Sequence, residues 1–242
     1  MCLSRLRKDS DGGALLEFTV VFFLFFLLLG GLTDYMYIFW QRNMLVKSVE
    51  RGARIAAVSN PVASGLENNN SALIAPGGCD TAGNAGKAYP AGAFDCVCNG
   101  STGACSAGPN GACGLAYDAA AMATIAYGRG GTAATCGAAG KSTYSIGMCD
   151  LFKFANAKTG TPFGPANLIV EYADTGLGFC GRRPGPVPTV TVRVQNVTLN
   201  HFFLGGGFPG GVGDQSVTSG ANAGAPATTS ITGEDLSYSA PP

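Results

Sequence analysis

The apolar positions are concentrated near the N-terminus. From Ala14 to Thr33 the chain is almost continuously apolar, and Glu17 is the one charged residue in this run. Twenty helical residues span about 30 Å, which matches the hydrocarbon core of a bilayer. Tyr35, Tyr37 and Trp40 follow, as in the aromatic belt at a membrane surface. The pattern predicts a membrane-spanning helix, with a buried core helix or a signal peptide as the alternatives.

The helical pattern continues past the apolar run. No proline occurs between Thr33 and Pro61, and apolar residues recur there at four-residue spacing. We therefore expect one helix from about Ala14 to Val58, whose second half packs on the rest of the chain. The recurring apolar residues are Leu45, Val49, Ala53 and Ala57.

Three residues inside this helix carry separate expectations. Gly30 and Gly31 permit either a kink or the close approach of a neighbour. Asp34 marks the outer end of the hydrocarbon layer, where we expect its carboxylate to be solvated.

After Asn60 the pattern changes to short segments. Residues 61–113 are loops by composition, and the alanine-rich stretch Leu115–Tyr127 predicts a helix that is buried or packed in an assembly. A helical turn is expected at Phe152–Ala157.

Strand patterns follow in the last third of the chain. Asn167–Ala173 and Thr189–Leu199 predict strands, and a change of parity predicts a bulge near Gln195 and Asn196. A short strand around Thr229–Tyr238 could pair with the second. The apolar group His201-Phe202-Phe203-Leu204 is interpreted as the end of a core strand, with an exposed contact patch as the alternative. The sum is an α+β fold with a small antiparallel sheet.

Composition excludes several functions. Charged residues make up 12% of the chain and the formal net charge is zero, so a nucleic-acid partner is not expected. The single histidine, His201, disfavours a histidine-dependent catalytic triad and a multi-histidine metal site. Gly176-x-Gly178-x-x-Gly181 is followed by prolines rather than a helix, which argues against dinucleotide binding. No catalytic set, metal site or cofactor is predicted, and the protein is not expected to be an enzyme.

The cysteines decide the orientation. Three basic residues precede the span and four follow it within about twenty residues, so the charge count alone does not place the N-terminus. Eight of the nine cysteines follow the span, an even number in a glycine-rich region that predicts disulfides and an oxidising compartment. A zinc site is the weaker alternative, because the Cys96-x-Cys98 spacing is unusual for zinc. The pairing stays open among 105 possibilities. The eight residues are Cys79, Cys96, Cys98, Cys105, Cys113, Cys136, Cys149 and Cys180.

The head of the span places a glutamate inside an apolar helix. An ionisable group inside a membrane needs a partner. If a peptidase cut between Gly12 and Gly13, the new α-amine would lie four residues from Glu17, on the same helical face. It could neutralise Glu17 of its own chain or of a neighbouring helix. Alternatively, Glu17 simply reaches the cytoplasmic interface.

These residues resemble a known family. Gly12, Glu17 and Phe18 are similar to the cleavage site of type IV-like prepilins in the short-leader form of the Flp/Tad tight-adherence system. Phe39-Trp40-Gln41 and the run Leu45–Val58, with its Glu-Arg-Gly-Ala-Arg sequence, resemble TadE-like proteins, the minor pseudopilins of that system. The resemblance covers about residues 8–58. Two departures are the cysteine-rich body and the Gly12-Gly13 pair, which leaves the cut ambiguous by one residue.

The resemblance implies a place and a set of partners. It implies a leader at residues 1–12, a transmembrane and spine helix at 13–60, and an extracytoplasmic cysteine-rich body at 61–242. A prepilin peptidase would remove the leader, and the subunit would initiate, cap or stabilise a Flp pilus. Its partners would be other pilin subunits, the inner-membrane assembly platform and membrane lipid, with the body in the periplasm of a bacterium. The alternative is an uncleaved, single-pass membrane protein whose body binds a ligand or surface partner.

Overall fold

A computed structural model describes residues 10–66, 87–88, 94–143, 145–178, 186–203, 215–217 and 228–232. One long N-terminal helix precedes a part rich in antiparallel strands, so the fold is α+β as predicted. The described chain forms two compact units. The first contains residues 10–41 and 200–203, and the second contains the other described residues.

Helix α1 is Ser10–Val58, which begins four residues before the predicted start and ends where predicted. The amide of Ser59 still donates to the carbonyl of Ile55, and Pro61 prevents any continuation. The predicted apolar stripe is buried in the second unit. Its buried members are Leu45, Val49, Ala53 and Ala57.

The second half of α1 is held by a short helix of the same unit. The Ser48 hydroxyl donates to the Met148 carbonyl over 3.0 Å, and a Cβ at Gly52 would collide with the Met148 side chain. Glycine at position 52 therefore lets Met148 lie directly on the helix. This short helix is α3, Met148–Leu151.

The described strands of the second unit are β1 (Ala63–Ser64), β2 (Asp95–Asn99), β3 (Ala104–Ala107), β4 (Ala116–Tyr117), β5 (Phe154–Asn156), β6 (Thr161–Pro162), β7 (Leu168–Gly178), β8 (Pro186–Val194), β9 (Val197–Leu199), β10 (Gln215–Val217) and β11 (Thr228–Thr232). These described strands form three sheets. The largest has five antiparallel strands in the order β11-β8-β7-β2-β3, the next has the order β10-β9-β5-β6, and β1 pairs with β4.

The strand predictions hold at the centre of the large sheet. Strands β7 and β8 are present and pair with each other, and β11 pairs with β8, as expected for the last strand. Val190, Val192 and Val194 are buried on one face of β8, which reflects the period of two in the sequence. Residues 233–238 of the predicted last strand lie outside the described residues.

The predicted bulge is instead a break between two strands. Asn196 has φ 54°, a left-handed conformation, and β8 and β9 belong to different sheets. The Asn167 side-chain amide donates to the carbonyls of Gln195 (3.3 Å) and Asn196 (3.2 Å) and so holds the break. The alternation of apolar residues does change phase at this point, as the sequence indicates. The cause is that the chain passes from one sheet to another, not a β-bulge.

Two other predictions from the sequence are wrong. Residues 61–113 contain strands β1, β2 and β3 rather than only loops. The helical turn expected at Phe152–Ala157 lies earlier, in α3, and Phe154–Asn156 is strand β5. Composition misled in the first case because disulfides, not apolar runs, hold the β2–β3 hairpin.

The alanine-rich helix is shorter than predicted. Helix α2 is Ala119–Tyr127, and the residues before it form β4. The Asp118 carboxylate accepts from the amides of Ala120 (2.8 Å) and Ala121 (3.0 Å), an N-cap that fixes the start of the helix. Met122 and Ile125 are buried, in agreement with the expected packing.

Six of the eight cysteines form three disulfides in the described chain. They are Cys96–Cys113, Cys98–Cys105 and Cys136–Cys149. The first two join strand β2 to the chain that follows it, and the third lies beside α3. The other two predicted members, Cys79 and Cys180, lie outside the described residues.

A salt bridge stabilises the chain around the third disulfide. Lys141 Nζ lies 2.9 Å from the Asp150 carboxylate, which also accepts from the amides of Gly137 (2.6 Å) and Gly147 (2.8 Å). Burial raises the pKa of Asp150, but the hydrogen bond from Lys141, the two amides and the charge of Lys141 together lower it below its ordinary value.

The first testable prediction concerns the buried Tyr172 hydroxyl, which accepts from the amide of Val62 over 3.0 Å. Tyr172→Phe leaves that buried amide without this acceptor and should lower the free energy of unfolding by about 1–3 kcal/mol. Urea unfolding of the purified chain in detergent, followed by circular dichroism, measures the change. Tyr117→Phe is the control, since the Tyr117 hydroxyl has no partner among the described residues; it should change stability by less than about 0.5 kcal/mol. Equal effects of the two changes would contradict the packing described.

The second testable prediction is a pH dependence from Asp150. Because its pKa is lowered on folding, its contribution is present above the unfolded value of about 4 and is lost as the pH falls through the folded pKa. Asp150→Asn should therefore lower stability by about 2 kcal/mol near neutral pH. The difference from the native chain should shrink as the pH is lowered below about 4. A difference that stays constant with pH would contradict the prediction.

Candidate functional site

The predicted cleavage bond lies inside α1, near the N-terminal limit of its described residues, Ser10. Glycine is a poor helix former, so two successive glycines weaken the helix at this bond. A Cβ at Gly13 would meet nothing within 4 Å. The described chain therefore sets no packing requirement for glycine at position 13.

Glu17 lies one helical turn beyond Gly13 and is exposed. Within the part of the chain that the structure describes, no residue forms an ion pair or hydrogen bond with its carboxylate. The helix around it is apolar, and Phe18 beside it is exposed as well. Gly13, Glu17 and Phe18 thus lie within two turns of one another on the exposed part of α1.

Apart from Glu17, the side chains exposed along the apolar run are almost all apolar. α1 from Gly13 is the one described helix long and apolar enough to cross a membrane. The Phe22 ring stacks on that of Phe18, with centroids 5.8 Å apart, and lies at a tilt to that of Phe26, with centroids 4.8 Å apart. The two hydroxyls, of Thr19 and Thr33, each donate to the carbonyl four residues earlier over 2.7 Å. These bonds leave no free hydroxyl hydrogen in the run, as an apolar environment requires.

Asp34 at the outer end of the run is buried, not solvated as predicted. It is 2% exposed, and its Oδ1 accepts from the amides of Phe202 (2.7 Å) and Phe203 (2.6 Å). Two turns later, the Gln41 side chain donates to the carbonyl of Asn200 over 2.8 Å and accepts from its amide over 3.2 Å. A distant segment of chain therefore lies on α1.

The expectation for residues 201–204 is also wrong. His201 is buried, but residues 201–203 do not form the end of a strand, and Phe202 is 75% exposed. The Phe203 ring lies against Gly30, where a Cβ would approach it too closely. Gly30 thus serves the close approach that was one of its two predicted uses, and α1 is continuous there. Leu204 lies outside the described residues.

No pattern in the sequence joins these two regions. Asp34 directly follows the apolar run, and a carboxylate at that position weakly indicates a need for hydrogen-bond donors. The donors lie 168 and 169 positions away, in a segment without periodicity.

One group of side chains has metal-binding spacing. The ligand atoms of Cys136, Cys149 and Asp150 lie within 4.8 Å of one another. The two sulfurs are bonded to each other, and the carboxylate is already held by Lys141 and two amides. The arrangement stabilises this corner of the second unit. Cys96 and Cys98 have different disulfide partners, so the Cys96-x-Cys98 pair is not a shared ligand pair.

Comparison with known proteins adds one finding. The family described as TadE-like protein matches residues 12–54, while no curated protein and no solved structure matches the chain. The matched segment contains Gly12, Gly13, Glu17 and Phe18 and extends into the part of α1 that packs in the second unit. It lies within the segment, about residues 8–58, on which the sequence resemblance rests. Residues 12–54 are therefore similar to the TadE-like family.

Proposed function

We propose that the protein is a minor pseudopilin of a Flp/Tad-type adhesion pilus. The TadE-like segment and the apolar helix support a membrane protein associated with a Tad pilus. The proposed role is to initiate, cap or stabilise the fibre, after removal of residues 1–12 as a leader. The single observation that carries the proposal is Glu17, an exposed carboxylate on an apolar helix one turn from Gly13.

Cleavage between Gly12 and Gly13 would create the charge that Glu17 needs. The new α-amine is positive near neutral pH and lies on the same helical face as the carboxylate. When two helices pack with a small axial offset, the amine of one reaches the carboxylate of the other. Pairing removes two isolated charges from an apolar surrounding, so it favours association of cleaved chains and only of cleaved chains.

The exposed face of the helix suits two successive environments. Its leucine and phenylalanine side chains match lipid before assembly and the helices of neighbouring subunits afterwards. The fixed hydroxyls of Thr19 and Thr33 are compatible with both environments. The helix therefore needs no change of conformation to pass from the membrane into a fibre.

The second unit fits a position outside the cytoplasm. The three disulfides among its described residues form in an oxidising compartment, which supports an inner-membrane protein with a periplasmic body at residues 61–242. Residues 13–60 would be the transmembrane and spine helix. The proposed partners are other pilin subunits, a prepilin peptidase, the assembly platform and membrane lipid.

The third testable prediction separates Glu17 from the rest of α1. Glu17→Ala should leave the leader removed, because the Gly12–Gly13 bond is unchanged, but should reduce surface pili about tenfold or more. A tenfold loss corresponds to roughly 1.4 kcal/mol of pairing energy. Mass spectrometry of the membrane-bound chain reports cleavage, and electron microscopy of cells reports pili.

Glu50→Ala is the matched control. Glu50 is an exposed glutamate of the same helix but lies beyond the apolar run, so its removal should change neither readout. Normal pili with the Glu17→Ala chain would contradict the proposed pairing. A chain that keeps residues 1–12 in its native membrane would favour an uncleaved anchor for a binding body.

A further inference from the structure

The residues Asn200–Phe203 form a short segment, here called the aromatic segment, that is bound along one side of α1. Asp34 holds the amides of Phe202 and Phe203, and Gln41 holds both backbone groups of Asn200. The ring of Tyr37, between these two points, meets the ring of Phe202 edge to face with centroids 6.2 Å apart. The attachment thus covers two helical turns.

The helix provides a depth scale for this segment. Phe203 contacts Gly30, which lies three residues inside the outer end of the apolar run at Thr33. Three residues correspond to roughly 4.5 Å of helix rise. If the run spans the hydrocarbon layer, the Phe203 ring reaches below its outer boundary.

Asp34 makes this depth possible for a non-helical segment. Backbone amides near hydrocarbon need acceptors, and a carboxylate there needs donors. The two amides of the aromatic segment and the Asp34 carboxylate satisfy each other, and Asp34 is 2% exposed as a result. Neither group would be tolerated at that depth without the other.

The outward side of the segment is apolar and exposed in the described chain. Phe202 is 75% exposed and Phe203 is 41% exposed. Tyr35 and Trp40, which follow the apolar run in α1, are exposed as well. Exposure of such rings to water is unfavourable, whereas aromatic rings are favoured at the boundary between headgroups and acyl chains. Continuity with the apolar run indicates lipid as the occupant of this surface.

We propose that the aromatic segment is a second membrane contact of this protein, which inserts Phe202 and Phe203 into the outer interface of the bilayer. Asp34 acts as a positioning residue that holds the segment at this depth. The proposal rests on the membrane-spanning helix of the proposed function, but not on leader cleavage or pilus assembly.

The fourth testable prediction uses a tryptophan probe in place of Phe202. In the full-length chain, Trp40→Phe with Phe202→Trp leaves one tryptophan, at a position exposed enough to accept it. The chain is placed in phosphatidylcholine vesicles brominated near the headgroup end of the acyl chains, or near their terminal methyl. Bromines near the headgroups should quench the emission of the probe more than bromines near the terminal methyl. The fraction of emission quenched should be comparable to that of Trp40 in the native chain. Unbrominated vesicles should cause no quenching.

Variants of Asp34 provide the matched comparison. Asp34→Ala, added to the probe chain, removes the acceptor and should abolish most of the quenching, while Asp34→Asn keeps an acceptor oxygen and should retain it. Probe emission typical of water, without quenching by either lipid, would overturn the proposal. A second result would also overturn it. If the probe is not quenched by bromine but becomes less accessible to aqueous iodide as the protein-to-lipid ratio rises, a second copy of the chain covers the segment instead of lipid.

The same measurement distinguishes this proposal from the proposed function. The uncleaved chain should give the same quenching, because the contacts that hold the aromatic segment come from Asp34, Tyr37 and Gln41 and not from the leader. Failure of the quenching at position 202 alone therefore leaves the Glu17 result untouched. Absence of quenching for both Trp40 and the probe at position 202 would instead refute the membrane-spanning helix on which both proposals rest.

Discussion

A carboxylate on an apolar helical surface must find a donor or a positive charge, and the apolar run of α1 has one such carboxylate near each end. Asp34, at the outer end of the apolar run, has its partners within the chain, in the amides of Phe202 and Phe203. Glu17, near the inner end, has none among the described residues. The same physical requirement therefore gives an intramolecular contact at one end of the run and, as we propose, an intermolecular one at the other.

The second unit must be stabilised in a different way, because the chain has few charged residues and many glycines. A small antiparallel sheet centred on β7 and β8 supplies the apolar core, and the three disulfides seen in the described residues hold the chain where apolar runs are absent. Side-chain hydrogen bonds complete the packing, such as those of Tyr172 to Val62 and of Asn167 to the break before β9. The amphipathic second half of α1 joins this core through Gly52 and Met148. Residues 12–54, which match the TadE-like family, thus include both the apolar run and residues of this core.

Elements governed by local periodicity could be predicted from the sequence. The stripe through Leu45 and Val49 identified α1, and alternation along Val190 and Val192 identified β8. Elements fixed by distant contacts could not be predicted. Strand β2 depends on its pairing with β7, and the burial of Asp34 depends on a segment 168 positions away. At the candidate site, Gly12, Gly13 and Glu17 were identified by spacing, whereas the role of Phe203 against Gly30 required the structure.

The central claim is that cleavage creates the partner of Glu17, and the intact mass of the protein from its native membrane tests it most directly. The account predicts a chain that starts at Gly13, with its body cysteines alkylated only after reduction. A mass that includes Met1 would contradict the account, because Glu17 would then have no amine one turn away. Cysteines that react before reduction would contradict the periplasmic position of the body.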